Sequence, residues 1–187
     1  MATMHKPFSQ INAYSMQNGL LLGFWVLAAQ AAMLASFTHE TLSLISALMF
    51  LFTPILLFVL TRKFRTTVAP EGVFTITQGF LHTFLTMLYA STWVAIGVFV
   101  YLTYFDKGYV FDAYEAYFTR PEVQDLLAQK EFQQQIAASL QGMTFEEVIN
   151  GLRFIPPATY AGMIFYSNLM VAPVVSLLIA LFLKRIK

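Results

Sequence analysis

The sequence predicts an all-α integral membrane protein with four transmembrane helices, both termini in the cytoplasm, and an amphipathic helical segment outside the membrane between helices three and four. Of its 187 residues, 58% are hydrophobic and only 11% are charged, which is too little polar surface to cover a soluble domain of this size. Four apolar stretches also reach the ~20 residues that a helix needs to cross a bilayer. Basic residues gather beside alternate ends of these stretches, as they do in membrane proteins.

The four spans are expected at about residues 14–37, 42–61, 74–104 and 157–183, within a single domain that covers 1–187. Only residues 38–41 separate the first span from the second, which predicts a tight antiparallel hairpin of neighbouring helices. The polar stretch at about 106–155 predicts helices at the outer membrane surface. Within it, Thr144 and Glu147 have the spacing of a capping box, followed by the apolar repeat of an amphipathic helix.

The distribution of charge predicts which side each helix end faces. When the N-terminus is placed inside, the inner side carries seven basic residues and one acid, Glu71, whereas the outer side carries four basic residues and nine acids. Positively charged loops are retained in the cytoplasm, so the agreement of every loop predicts this orientation. The inner basic residues are Lys6, Arg62, Lys63, Arg65, Lys184, Arg185 and Lys187.

Polar side chains inside the predicted spans form a candidate intramembrane site, because polar groups are costly in a membrane and are often functional there. One interpretation makes His82 a proton carrier or a contact for an anionic lipid, since histidine titrates near physiological pH. The interpretation we favour is a neutral His82 hydrogen-bonded to a neighbouring helix, because the spans contain no carboxylate to complete a proton relay. The candidates are Gln30, Gln78, His82 and Asn168.

Gly19 and Gly23 form a pair of small residues four positions apart in the first span, on the same face as Gln30. Such pairs let two helix backbones approach closely. The pair therefore predicts a helix interface, either within the bundle or, as the less favoured alternative, between two protomers. Asn168 shares a stripe with small residues of the fourth span and is expected to join helices rather than bind a ligand.

The basic residues Arg62, Lys63, Arg65, Lys184 and Arg185 are candidate contacts for anionic lipid head groups or a polyprenyl phosphate, although their topogenic role explains them equally well. A formal net charge of +1 gives no reason to expect nucleic acid binding. The chain contains no cysteine, which excludes a thiol nucleophile and thiolate-ligated metals. No nucleotide-binding loop, hydrolase elbow or metalloprotease motif occurs, so we predict no catalytic residue, metal or cofactor.

The layout resembles a bacterial membrane family catalogued as domain of unknown function 4199. The resemblance rests on the four spans, the Gly19 and Gly23 pair, the basic turn at 62–65, the tyrosine-rich insertion before the fourth span and the basic C-terminus. It implies the inner membrane of a Gram-negative bacterium, so that the outer segment at about 106–155 is periplasmic. The family brings no activity, catalytic residue or cofactor with it.

These observations favour a non-catalytic accessory or scaffold subunit of a membrane enzyme or transporter. The expected partners are the lipid bilayer and either another membrane protein or further copies of the same chain. The alternative is a small carrier or flippase for a lipid-linked or anionic substrate, which would use Gln78, His82 and the basic inner patch. An intramembrane enzyme ranks last because no set of acid, base, nucleophile or metal ligands was found.

Overall fold

The computed structural model describes residues 5–69, 72–129 and 143–185, and these ranges contain seven α-helices and one π-helical turn. The one extended pairing among them is an isolated bridge between Phe74 and Arg185. The π-helical turn, Tyr101–Phe105, directly follows the third helix. In chain order the helices are α1 His5–Ala35, α2 Thr41–Val68, α3 Ile76–Val100, α4 Tyr109–Phe118, α5 Pro121–Leu127, α6 Phe145–Arg153 and α7 Pro157–Leu183.

Four of these helices are long and apolar enough to cross a membrane, as in a multi-pass membrane protein. They cover Phe8–Ala35, Thr41–Val68, Ile76–Phe105 and Pro157–Leu183. For the described residues, the prediction of an all-helical fold with four apolar spans is confirmed. The second helix continues to Val68, past the expected end near residue 61, because arginine and lysine are good helix formers and do not stop it. Residues 130–142 of the expected outer segment lie outside the described residues.

The described chain forms two compact units, the first made of Met1–Val98 with Ala161–Lys187 and the second of Phe99–Tyr160. In the first unit α1 and α2 pack as a hairpin. The Trp25 indole N–H donates to the Met49 carbonyl at 3.0 Å, and the Ser46 hydroxyl donates to the Ala29 carbonyl at 3.0 Å. The expectation that the first two spans are neighbours is therefore confirmed.

The core of the first unit gathers around Phe64, which is 2% exposed. Its ring meets Tyr14 at 5.5 Å and Phe74 at 6.1 Å between centroids. Aromatic rings in such tilted arrangements stabilise a core because they bury a large apolar area and make favourable edge-to-face contacts. The core thus joins α1, α2, α3 and α7 through Ile11, Leu22, Leu57, Leu60, Phe64, Ala69, Phe74, Ala90, Ile179 and Leu183.

In the second unit an ion-pair cluster joins α4 to α6. Arg153 contacts Asp112 and Glu115, each at 2.8 Å, and its guanidinium lies 5.9 Å from the centroid of the Phe111 ring. Hydrogen bonds to Asp112 and Glu115 raise the pKa of Arg153. The start of α4 is capped by Asp106, which is 5% exposed and accepts from the Gly108 and Val110 N–H groups.

The predicted capping box begins α6. The Thr144 hydroxyl accepts from the Glu147 N–H, and the Glu147 carboxylate accepts from the Thr144 N–H at 2.7 Å. Both donors belong to the first turn of a helix, where backbone N–H groups have no partner within the helix. The capping box is therefore confirmed.

Acid pH is expected to loosen α6, because the N–H and hydroxyl of Thr144 hold the pKa of Glu147 below its usual range. A carboxyl whose pKa is lowered by folding stabilises the folded state at pH values above its unfolded-state pKa. This stabilisation is lost as the pH falls through the folded-state pKa. We expect slower amide exchange in α6 of the wild type than of Glu147→Gln at neutral pH, and equal exchange in acid. A difference that persists in acid would contradict this account of the cap.

Candidate functional site: a buried histidine among three helices

His82 of α3 is fully buried and contacts side chains of α1 and α2. Its Nε2 lies 3.0 Å from the Asn18 amide nitrogen on α1, and its Nδ1 lies 3.3 Å from the Thr61 hydroxyl on α2. The imidazole also stacks on the Phe64 ring, with the centroids 4.1 Å apart and the planes 7° from parallel. The side chain therefore connects three spanning helices at one point.

The protonation of the imidazole is coupled to the orientation of the Asn18 amide. With the amide nitrogen facing the ring, that nitrogen donates and Nε2 of His82 accepts. The single ring proton is then on Nδ1, where it points at the Thr61 oxygen. A neutral His82 satisfies both contacts at once, and a proton on Nε2 would require the Asn18 amide to turn over.

Neighbouring hydroxyls extend this arrangement into what we term the His82 cluster, made of Ser15, Asn18, Thr61, His82 and Thr83. Ser15 donates to the His82 carbonyl at 3.1 Å, and the hydroxyls of Thr61 and Thr83 lie 3.1 Å apart. Thr61 and Thr83 also donate to carbonyls of their own helices, at 3.0 and 2.8 Å. Every side chain of the cluster thus has a hydrogen-bond partner, as buried polar groups in a membrane helix bundle require.

Two further buried hydroxyls, those of Thr86 and Ser176, have no hydrogen-bond partner among the residues that the structure describes. Replacing Ser176 with alanine is expected to leave stability unchanged or to raise it by about 1 kcal/mol, because a buried unpaired hydroxyl is removed. Ser15 is the matched control, since it is equally buried but donates to His82. Ser15→Ala should lower stability by roughly 0.5–1.5 kcal/mol in thermal unfolding. Equal effects of the two substitutions would contradict this assignment.

The other candidate polar residues make no side-chain hydrogen bond to the His82 cluster among the described residues. The Gln78 side chain accepts from the Thr75 N–H at 2.9 Å and so caps the start of α3. Gln30 and Asn168 are half-buried, and neither makes a side-chain hydrogen bond to a residue that the structure describes. The structure therefore brings His82 together with residues that the sequence analysis had not singled out.

Asn18, Ser15 and Thr61 are the partners that sequence reasoning missed. Ser15 and Asn18 lie three residues apart in the first span, which places them on one helix face. The rule that identified His82, the cost of a polar group within a span, applies to Asn18 as well and was the available signal. Nothing in the spacing indicated that this face of α1 meets α3.

Gly19 and Gly23 lie against α3 of the same chain. A Cβ atom on Gly19 would stand 2.5 Å from Tyr89 Cβ and 2.9 Å from the Thr86 carbonyl oxygen. A Cβ atom on Gly23 would stand 2.9 Å from Trp93 Cβ. Atoms that close would overlap, so the glycines permit the close approach that puts Asn18 within reach of His82.

The two basic clusters meet at one end of the first unit. The Arg65 guanidinium donates to the Leu183 carbonyl at the end of α7, at 3.2 Å. The main chains of Phe74 and Arg185 exchange two hydrogen bonds, of 3.0 and 3.1 Å, which ties the C-terminal segment to the chain before α3. Arg62, Lys63 and Lys184 are exposed near this junction, in sequence positions adjacent to Arg65 and Leu183.

Comparison with known proteins identifies a family. The model of a family described as "Protein of unknown function (DUF4199)" matches residues 16–185, which is nearly the whole chain and includes the His82 cluster apart from Ser15. No curated protein and no solved structure matches the chain. The resemblance inferred from the layout of the sequence is confirmed, and the chain belongs to the DUF4199 family.

Proposed function

We propose that this protein is a non-catalytic accessory or scaffold subunit of a membrane enzyme or transporter. The observation that carries the proposal is that the polar groups of the His82 side chain are all occupied by contacts within the chain. Both imidazole nitrogens contact side chains of neighbouring helices, and its ring is covered by Phe64. A side chain used in this way holds helices together and has no free donor or acceptor for a substrate.

A scaffold also needs surface with which to contact other molecules, and the second unit provides it. Phe154 is 87% exposed, and Tyr104 and Phe105 are 67% and 68% exposed. Exposed rings beside the ends of spanning helices are suited to lipid head groups and to other membrane proteins. These residues support the choice of the bilayer and a membrane protein as partners.

The proposal includes a location, the inner membrane of a Gram-negative bacterium, with both termini in the cytoplasm and the segment at about 106–155 in the periplasm. The charge distribution supports it, since Arg62 and Lys63 lie near the end of α2 and Lys184 follows α7, whereas every charged residue of α4 and α5 is an acid. The inner membrane is what the family resemblance implies.

Thiol labelling tests this orientation directly, because the chain has no cysteine of its own. We expect Glu122→Cys to react with a membrane-impermeant maleimide in cells whose outer membrane alone is permeable. Lys63→Cys, on an equally exposed site, should react only after the inner membrane is broken. The reverse pattern would overturn the proposed orientation.

A second candidate function is a carrier or flippase for a lipid-linked or anionic substrate. The hydrogen bond from Arg65 to Leu183 favours it, because it joins two basic clusters at one end of the first unit. Several cationic side chains near one another are suited to a phosphate head group. This function requires the His82 cluster to open during transport, so it predicts that substitutions there abolish transport rather than stability alone.

Extraction from the native membrane into lipid nanodiscs, followed by mass spectrometry, tests the two functions against each other. The scaffold proposal predicts a different membrane protein in constant ratio to this chain. A chain that is isolated without such a partner but retains a specific phospholipid or polyprenyl phosphate would overturn it in favour of the carrier. Turnover of a lipid by the isolated chain would overturn both.

A further inference from the structure

The outward side of α1 has an unusual composition for a surface that faces lipid. Its exposed residues recur at helical spacing and include two glutamines separated by seven positions and three alanines. Neither glutamine makes a side-chain hydrogen bond to a residue that the structure describes. We call this surface the outer face of α1, and it comprises Gln10, Ala13, Gln17, Leu20, Phe24, Ala28 and Ala31.

The exposed surface of α2 shows what a lipid-facing helix of this chain looks like. Every exposed residue between Leu44 and Val59 is apolar, and most are large. On α7 the polar residues exposed within the span are Thr159, Tyr166 and Ser167. A hydroxyl can bond back to its own helix, and a tyrosine ring can reach toward the helix end. A glutamine amide has two donor hydrogens and an acceptor oxygen, which its own helix cannot satisfy.

Gln17 therefore needs a partner within the membrane. It lies more than two helical turns inside the span that begins at Phe8, between the exposed residues Ala13 and Leu20. An amide without hydrogen-bond partners is costly in hydrocarbon, so such residues are found where helices meet. The opposite face of α1 is already filled by α3 at Gly19 and Gly23, and a partner for Gln17 must come from outside the described chain.

A second copy of this chain fits the requirement. Two copies inserted in the same orientation and related by a two-fold axis along the membrane normal bring the same residue to the same depth. A primary amide both donates and accepts, so two Gln17 side chains can form a reciprocal pair. Alanines at 13, 28 and 31 leave room for two helices to approach on either side of that pair.

We propose that the outer face of α1 is the interface of a parallel homodimer, with a Gln17 pair near its centre. Gln10, seven residues earlier, lies on the same seam of an interface with a heptad repeat. A polar residue at such a position sets the register of the two helices. This inference stands independently of the scaffold proposal, since either a scaffold or a carrier could be dimeric.

Disulfide cross-linking in native membranes tests the interface, because each introduced cysteine is the only one in its chain. We expect Leu20→Cys and Ala13→Cys to give a product of twice the chain mass under mild oxidation. Leu51→Cys, an exposed site on the lipid-like face of α2, is the matched control and should remain monomeric. Equal cross-linking at Leu20 and Leu51, or none at Leu20, overturns the proposal. A product of another mass assigns the face to a different protein and also overturns it.

The glutamine pair is tested by substitution at Gln17 itself. Gln17→Leu changes an exposed side chain and should leave each chain folded, while the dimer should dissociate about 3- to 30-fold more readily, as expected for loss of an intramembrane hydrogen-bonded pair. Gln17→Asn keeps the amide and should retain more of the dimer. A dimer fraction in nanodiscs that Gln17→Leu does not lower would overturn the role of the amide pair.

Discussion

Replacing Gly19 with alanine is expected to destabilise the first unit by about 1–3 kcal/mol, although only one methyl group is added. The new Cβ would stand 2.5 Å from Tyr89 Cβ and 2.9 Å from a backbone oxygen of α3. Backbone cannot move aside as a flexible side chain does, so α1 must shift away from α3. That shift would also lengthen the contact between Asn18, the next residue, and His82.

Gly162→Ala on α7 is the matched control for this experiment. Both glycines belong to long apolar helices, but a Cβ on Gly162 would meet no atom within 4 Å. Because alanine favours helix more than glycine does, this variant should be as stable as the wild type or slightly more so. Thermal unfolding in nanodiscs compares the two. Equal stability of both variants would contradict the close packing of α1 on α3.

Replacing His82 with leucine is expected to be the most damaging change in the His82 cluster. The substitution leaves the half-buried amide of Asn18 without its partner on α3, and an unpaired polar group away from water costs about 1–3 kcal/mol. It also removes the ring that stacks on Phe64 at 4.1 Å. Asn18→Leu should be destabilising for the same reason, since it leaves Nε2 of His82 unpaired.

The double variant His82→Leu with Asn18→Leu separates a hydrogen bond from general packing. When both partners become apolar, neither is left unsatisfied, so the double variant should be more stable than the sum of the two single effects predicts. We expect a coupling energy of about 0.5–2 kcal/mol. Thr61 keeps its hydrogen bond to the Leu57 carbonyl in all three variants. Strictly additive effects would contradict a direct contact between Asn18 and His82.

The sequence was sufficient to predict the four spans because a bilayer imposes one simple requirement, a long run of apolar residues. The helix boundaries were harder to predict. α2 continues through Arg62, Lys63 and Arg65 to Val68, since a helix does not have to end where the apolar run ends. Local chemistry was also predictable, as the capping box of Thr144 and Glu147 shows, because all of its atoms come from four consecutive residues.

The candidate site was predicted only in part, and the reason is geometric. The position of His82 within a span identified it as a residue whose partners would matter. Its partners, Asn18 and Thr61, are 64 and 21 residues away in the chain, and spacing within one helix does not determine which face of another helix it meets. Likewise, the Gly19 and Gly23 pair predicts that another helix packs closely against α1, but it does not indicate that this helix is α3.

The central claim, that the polar residues within the spans hold the helices together and do not act on a substrate, is tested most directly by the double variant in its native membrane. Wild type and His82→Leu with Asn18→Leu would be extracted side by side into nanodiscs and their bound components compared by mass spectrometry. We expect the same protein partner in the same ratio for both. A folded double variant that loses the partner, or an anionic lipid that the wild type retains, would contradict it.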